Sequence, residues 1–171
     1  MFLVTIFTAT IALSVFFVAS TADQVYAAKY PWTAPLSGQN EVPSVESDAT
    51  ATADFKLAEN GAIGYRVNVS GISNASAAHI HQGKTGENGD VVADLLHTPT
   101  SKDKDTVYGM IFRGNVTESG LKGPMQGKTI QDLVAAMDAG QIYVNVHTSE
   151  HPDGEIRGQI TNQEKTAGPT N

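Results

Sequence analysis

Four of the five histidines in this chain lie in two segments that are far apart in sequence. His79 and His81 belong to the first segment, and His147 and His151 belong to the second. Imidazole nitrogens are common ligands of zinc and copper ions, and a neutral histidine offers one ring nitrogen with a free lone pair. If the two segments are neighbours in the fold, these side chains are candidate ligands of a copper or zinc ion.

Strand geometry decides which of these side chains can act together. Residues i and i+2 of a β-strand point to the same face and lie about 6.6 Å apart. His79 and His81 are therefore expected to share one face, and the same alternation aligns Tyr143, Asn145 and His147. These polar faces predict a functional region where the two segments meet.

Two interpretations account for the histidines. In the first, His151 follows on a loop as a fourth ligand, and Glu150 and Asp153 offer carboxylates near the ion. In the second, the imidazoles hydrogen-bond to loop carbonyls and hold the strand ends in place, because buried polar groups need partners. The residue pattern leaves both interpretations open.

A charged pair accompanies the histidines. Glu155 and Arg157 flank the apolar Ile156, so they share a strand face. With Tyr143 and Asn145 they form a predicted surface patch. The pair either binds a carboxylate or sulfate ligand through Arg157, or bridges to a neighbouring strand or loop.

Composition and missing motifs exclude several classes of protein. The chain has no cysteine, which excludes disulfides and thiolate chemistry. Its formal net charge of −7 argues against a nucleic-acid partner. No serine-nucleophile or phosphate-loop signature is complete, and nothing singles out a pair of catalytic carboxylates. A binding protein is therefore favoured over an enzyme.

The hydrophobic pattern is typical of an all-β protein. Apolar and polar residues alternate over 51–57 and 63–70, on either side of a turn. Turn-forming residues separate shorter apolar runs at 77–81, 91–96, 107–112, 142–146 and 155–160. Short strands at this spacing predict an antiparallel Greek-key β-sandwich or barrel.

One segment has helical periodicity instead. Apolar residues recur at the spacing i, i+3, i+4, i+7 from Ile130 to Met137, and Thr129 stands in the N-cap position. This pattern predicts a short α-helix over about 129–138. Residues 162–171 are polar, which predicts a disordered tail.

Residues 1–27 have the composition of a targeting segment. Residues 2–20 are apolar or small and uncharged, and Val25-Tyr26-Ala27 matches the small-residue pattern of a signal-peptidase site. Because no basic residue precedes Lys29, an uncleaved anchor is the alternative, and about 18 apolar residues are enough to span a bilayer. Both interpretations place the rest of the chain outside the cytoplasm. Only an uncleaved leader would give it membrane contact.

Several blocks occur in an order that resembles the CHRD family, first named from repeats in chordin. They are Leu36–Pro43, Ala78–Gly83, Gly140–Thr148 and His151–Ile160. The resemblance implies an extracellular β-sandwich domain over residues 32–161, with an extracellular protein or small ligand as its partner.

A weaker similarity concerns His79-Ile80-His81, which resembles the His-x-His strand of Cu/Zn superoxide dismutases. Those enzymes are Greek-key barrels whose strand histidines bind copper. The chain departs from them because it has no cysteine pair and no cluster of zinc-loop histidines after His81.

The sequence thus predicts an exported single-domain protein that acts as a binding or surface module. Two alternatives stand beside this prediction. One is a copper- or zinc-binding protein for metal handling or dismutase-like redox chemistry, and the other is a structural component of the cell envelope.

Overall fold

The computed structural model describes residues 29–96 and 107–166. The predicted leader and the fifth histidine, His97, lie outside these ranges. Within them the chain forms strands β1 (Trp32–Ser37), β2 (Thr50–Leu57), β3 (Ile63–Ile72), β4 (Ala75–Gln82), β5 (Val91–Leu96), β6 (Val107–Val116), β7 (Ile142–Thr148), β8 (Ile156–Gln159) and β9 (Thr161–Asn162). Two α-helices accompany them, α1 (Ile130–Asp138) and α2 (Gln163–Thr166).

The strands form one antiparallel sheet that curls into a nearly closed barrel. Its strand order is β5-β4-β7-β8-β1-β2-β3-β6, with β9 paired to β1. The two ends of this order, β5 and β6, lie in contact with each other. The structure confirms the predicted all-β antiparallel fold.

The β2–β3 hairpin shows how alternation builds the core. Phe55 pairs with Tyr65 and Ala53 pairs with Val67, and all four side chains are buried. Burial of apolar side chains on one face of each strand supplies most of the driving force for this packing. Strand β7 differs, because every residue from Ile142 to Thr148 is buried, so both of its faces are covered.

The predicted helix is confirmed as α1. Thr129 caps it in a capping box: the backbone N–H of Asp132 donates to Thr129 Oγ1 at 3.2 Å, and the backbone N–H of Thr129 donates to Asp132 Oδ2 at 2.8 Å. Ile130, Leu133 and Met137 bury the apolar face of α1 against the barrel. No helix in the described ranges has the length and apolar character needed to cross a membrane.

Residues 162–166, at the start of the predicted disordered tail, have defined secondary structure. Asn162 pairs with Trp32 in the sheet, and α2 follows it. Asp138 at the end of α1 explains this order, because it accepts hydrogen bonds from Trp32 Nε1 at 2.8 Å, Asn162 Nδ2 at 2.8 Å and Lys165 Nζ at 2.9 Å. Residues 167–171 lie outside the described ranges.

This junction gives a first testable prediction. Asp138→Ala is expected to lower the free energy of unfolding by about 2 kcal/mol, because the Trp32 indole N–H loses its acceptor while largely buried. Lys165→Ala is the control, since it removes only the exposed ion pair and should change stability by less than about 0.5 kcal/mol. Urea denaturation measures both. Equal midpoints for the two variants would show that Asp138 does not hold the junction.

Candidate metal centre

Strands β4 and β7 are neighbours, and their register brings the two histidine segments together. His79 lies opposite Asn145, and Ala77 lies opposite His147. Directly opposed residues share a sheet face, so His79, His81 and His147 all project from the same side. One ligand atom from each of these three histidines lies within 4.8 Å of the others.

Contacts between the rings are short. Nδ1 of His79 lies 3.0 Å from Nε2 of His147, and their ring centroids are 4.8 Å apart. The His81 centroid lies 5.7 Å from that of His79 and 5.9 Å from that of His147. The nitrogens therefore face a common centre.

Two of the histidines are oriented by backbone carbonyls. Nδ1 of His81 lies 2.9 Å from Gly89 O, and Nδ1 of His147 lies 2.9 Å from Pro152 O. Because a carbonyl oxygen only accepts, each Nδ1 carries the proton and each Nε2 keeps a lone pair. Nε2 of His81 is buried and has no hydrogen-bond partner within the described residues.

Asp94 orients the third histidine. Its Oδ1 lies 3.6 Å from Nε2 of His79, and Lys122 Nζ holds its Oδ2 at 2.6 Å. A carboxylate on this side favours the proton on Nε2 of His79. The 3.0 Å contact between its Nδ1 and Nε2 of His147 is a hydrogen bond when the proton is on Nδ1 instead, and a cation bound between the two nitrogens would replace that proton.

The environment keeps the three imidazoles neutral near pH 7. Burial, together with the neighbouring His147 and His81, lowers the pKa of His79 to about 4. Burial also lowers the pKa values of His81 and His147, against the hydrogen bonds that their Nδ1 atoms make to carbonyls. Neutral imidazole is the form that binds metal ions.

His151, the fourth expected ligand, is not a member of this group in the described structure. It lies in the turn between β7 and β8, where Thr148 Oγ1 accepts a hydrogen bond from its backbone N–H at 3.1 Å. It lines a surface cleft of about 230 Å³ together with Glu41, Glu150 and Asp153.

Most of the patch predicted at the surface is buried. Tyr143, Asn145 and Arg157 are each exposed by no more than 3 %. The loop between β4 and β5 covers Tyr143 and Arg157, and Glu41 lies against Asn145, so the expectation of an open patch is wrong for these three residues. Glu155 is half-buried and accepts a hydrogen bond from Ser47 Oγ at 2.7 Å.

Arg157 fastens the β4–β5 loop to the barrel. Its Nη1 donates to Asn88 Oδ1 at 3.0 Å, and its Nη2 donates to the carbonyls of Lys84 at 3.0 Å and Glu87 at 2.7 Å. Its guanidinium carbon lies 3.5 Å from the ring centroid of Tyr143. Of the two roles expected for Arg157, the structure places it in the bridging one.

Tyr143 connects this loop to the histidines. Its ring stacks on His81 with centroids 4.9 Å apart and planes at 11°. Its hydroxyl accepts from the backbone N–H of Gly89 at 3.1 Å, the residue whose carbonyl orients His81. Arg157 and Tyr143 therefore position the Gly89 carbonyl, which in turn orients the His81 ring.

Sequence reasoning missed Gly89, Pro152, Asp94 and Glu41. Backbone carbonyls carry no side-chain signal, and Asp94 could be placed only once the pairing of β4 with β5 is known, where it lies opposite His79. Glu41 is buried beside Asn145, whose Nδ2 lies 3.4 Å from its Oε2. Burial raises the pKa of Glu41 to about 7, although Arg157 acts to lower it.

The fold and the site define a nearly closed antiparallel β-barrel with a partly buried three-histidine centre on its β4–β7 face. The family model of the CHRD domain matches residues 32–160. The chain therefore belongs to the CHRD domain family, whose members occur in extracellular and secreted proteins. No curated protein and no solved structure matches the chain.

Proposed function

We propose that this CHRD domain binds one transition-metal ion, copper or zinc, through His79, His81 and His147. The observation that carries the proposal is the orientation of the three rings. One nitrogen of each ring, the outer one, lies beside an oxygen: a backbone carbonyl for two of the rings and a carboxylate for the third. The other nitrogen of each ring, the inner one, faces the two neighbouring rings. Histidines that bind metals usually donate their second N–H to such acceptors.

The distances support the same proposal. Imidazole nitrogens bind zinc at about 2.0–2.1 Å, so two ligands of one ion lie no more than about 4 Å apart. The 3.0 Å separation between His79 Nδ1 and His147 Nε2 is within this limit. All three donors lie within 4.8 Å, so small side-chain rotations suffice to close the site.

We also propose that the domain acts outside the cytoplasm. The apolar leader-like composition of residues 1–27 and the extracellular occurrence of the family support this location. Among the functions predicted for a binding module, metal binding is the one for which the described residues offer donor atoms. A protein partner remains a prediction from the family resemblance.

A titration with matched variants tests the metal site. The purified full chain, stripped with chelator, is expected to bind one equivalent of copper or zinc and to gain several degrees in melting temperature with excess ion. His147→Ala should weaken binding by about 100-fold or more, because it removes one of the ligands. His151→Ala is the control and should bind like wild type, since His151 lies outside the group.

Native mass spectrometry and isothermal titration calorimetry give the stoichiometry and the affinities. Equal loss of affinity in His147→Ala and His151→Ala would show that binding is not at this centre. Absence of copper and zinc binding in the wild-type chain would reject the proposal.

A further inference from the structure

We infer that the three-histidine centre selects the cuprous ion, Cu⁺, over Cu²⁺ and Zn²⁺. This inference rests on the proposed metal site and specifies its ligand. Three features carry it: the charge of the donor set, the restricted access of water, and a buried cation beside one of the ligands.

The donor set is neutral. All three inner donors are imidazole nitrogens, and the carboxylate of Asp94 lies against the outer nitrogen of His79 instead of facing the centre. The charge of a bound ion is therefore not cancelled by its own ligands. The free-energy cost of burying an uncompensated charge rises with its square, so a divalent ion costs about four times as much as a monovalent one.

Water reaches the centre mainly past His79, whose side chain is 23 % exposed. Nε2 of His81 is fully shielded, and His81 and His147 are exposed by only 7 % and 8 %. Zn²⁺ in proteins usually takes four ligands and Cu²⁺ prefers a tetragonal set, so both need an additional water or anion here. A d¹⁰ Cu⁺ ion is satisfied by three nitrogens, which is the number of donors in the described group.

A buried positive charge adds to this preference. The Arg157 guanidinium, only 2 % exposed, lies against one face of Tyr143, and His81 stacks on the same ring. Nearby repulsion is stronger for a divalent ion. Asp90 near His81 and Asp153 near His147 are exposed, so solvent screens their opposing effect.

Glu41 is the buried carboxyl that acts on Arg157. Its pKa is raised to about 7. At neutral pH it therefore cancels only part of the guanidinium charge. Arg157 remains a net source of positive potential beside the centre.

Anaerobic competition experiments test the selectivity. The full chain is equilibrated with Cu⁺, Cu²⁺ or Zn²⁺ against a chelator of known affinity for each ion. We expect the wild-type chain to bind Cu⁺ about 100-fold or more tightly than Cu²⁺ and Zn²⁺. X-ray absorption of the Cu⁺ form should show three nitrogen neighbours.

Two variants separate the effect of the Arg157 charge from the effect of Arg157 on the β4–β5 loop. Arg157→Gln is expected to lower the ratio of Cu⁺ to Cu²⁺ affinity about tenfold, which corresponds to about 59 mV in reduction potential. Asn88→Ala is the control, because it removes an acceptor of Arg157 while keeping the charge. It should weaken both ions equally and leave the ratio unchanged.

The outcomes are distinct. Tighter binding of Cu²⁺ or Zn²⁺ with a fourth ligand in the absorption spectrum overturns the selectivity and leaves the metal site standing. Failure to bind any of the three ions overturns both proposals. An unchanged affinity ratio in Arg157→Gln removes the role of the guanidinium, and if that variant does not fold, the wild-type affinities decide.

Discussion

Replacing Glu41 with Gln is expected to stabilise the protein by about 2 kcal/mol at pH 8 and to leave its stability unchanged near pH 4. Glu41 is 7 % exposed, and burial raises its pKa from 4.5 to about 7 despite the attraction of Arg157. The amide of Gln keeps an oxygen for Asn145 Nδ2, which contacts Glu41 in the wild type. The variant therefore removes the ionisation and retains the contact.

The direction of this change in stability with pH follows from proton binding. Because the folded pKa of Glu41 lies above the unfolded value, the folded state binds more protons between about pH 4.5 and pH 7. The stabilising contribution of the neutral carboxyl is complete below this range and is lost as the pH rises through 7. Gln cannot ionise, so the variant has no such loss.

The three histidines change the stability with pH in the opposite direction. They have lowered pKa values, so their contribution to stability is complete above about pH 6.5 and is lost as the pH falls, through about 4 for His79. In the wild type the two trends oppose each other between about pH 4.5 and 6.5. Glu41→Gln should therefore show a steeper loss of stability towards acid.

Urea denaturation from pH 4 to pH 8, with chelator present, measures these profiles. Glu150→Gln is the matched control, because Glu150 is an exposed carboxyl at the same cleft, and it should stay within about 0.5 kcal/mol of wild type. A variant at position 41 that is less stable than wild type at pH 8 would mean that attraction to Arg157 outweighs the burial of the carboxylate.

Replacing Gly158 with Ala is expected to destabilise the protein by about 3 kcal/mol. A Cβ atom at this position of β8 would clash with the carbonyl oxygen of Pro35 in β1, and would lie 2.8 Å from its carbonyl carbon and 3.1 Å from Leu36 Cγ. The Pro35 atoms are backbone, so they cannot rotate away. The two strands must separate where Ser37 pairs with Arg157.

Gly64→Ala provides the control for this prediction. Gly64 also lies inside a strand, but the nearest neighbours of its added Cβ are side-chain atoms of Asn115 at 3.4 Å and Lys56 at 3.7 Å. These are ordinary contacts, so the variant should stay within about 0.5 kcal/mol of wild type. Thermal and urea unfolding compare the two, and an equally mild effect at position 158 would show that β1 and β8 do not need this close approach.

The parts of the fold with strong local patterns were predictable. The alternation across β2 and β3 determined a hairpin with one buried face, and the spacing from Ile130 to Met137 together with Thr129 determined α1 and its cap. These signals depend on neighbours within a few residues, which is why they survive in the sequence alone. The order of residues 162–166 was not predictable, since it depends on Asp138 in a separate element.

The site was only partly predictable. The i, i+2 spacing placed His79 and His81 on one face, but the grouping of His151 with them depended on the path of a turn. The burial of Tyr143 and Arg157 depended on a loop that folds over them. No local sequence pattern indicates either the path of this turn or the burial of these two side chains.

By itself the amino-acid sequence determined an all-β domain, one capped helix, and which histidines share a strand face, because side-chain direction repeats every two residues along a strand. Only the tertiary structure decided that β4 lies beside β7, that the carbonyls of Gly89 and Pro152 orient two of the rings, and that Arg157 is buried. Those features arise from contacts between distant segments, whose pairing depends on the packing of the whole barrel.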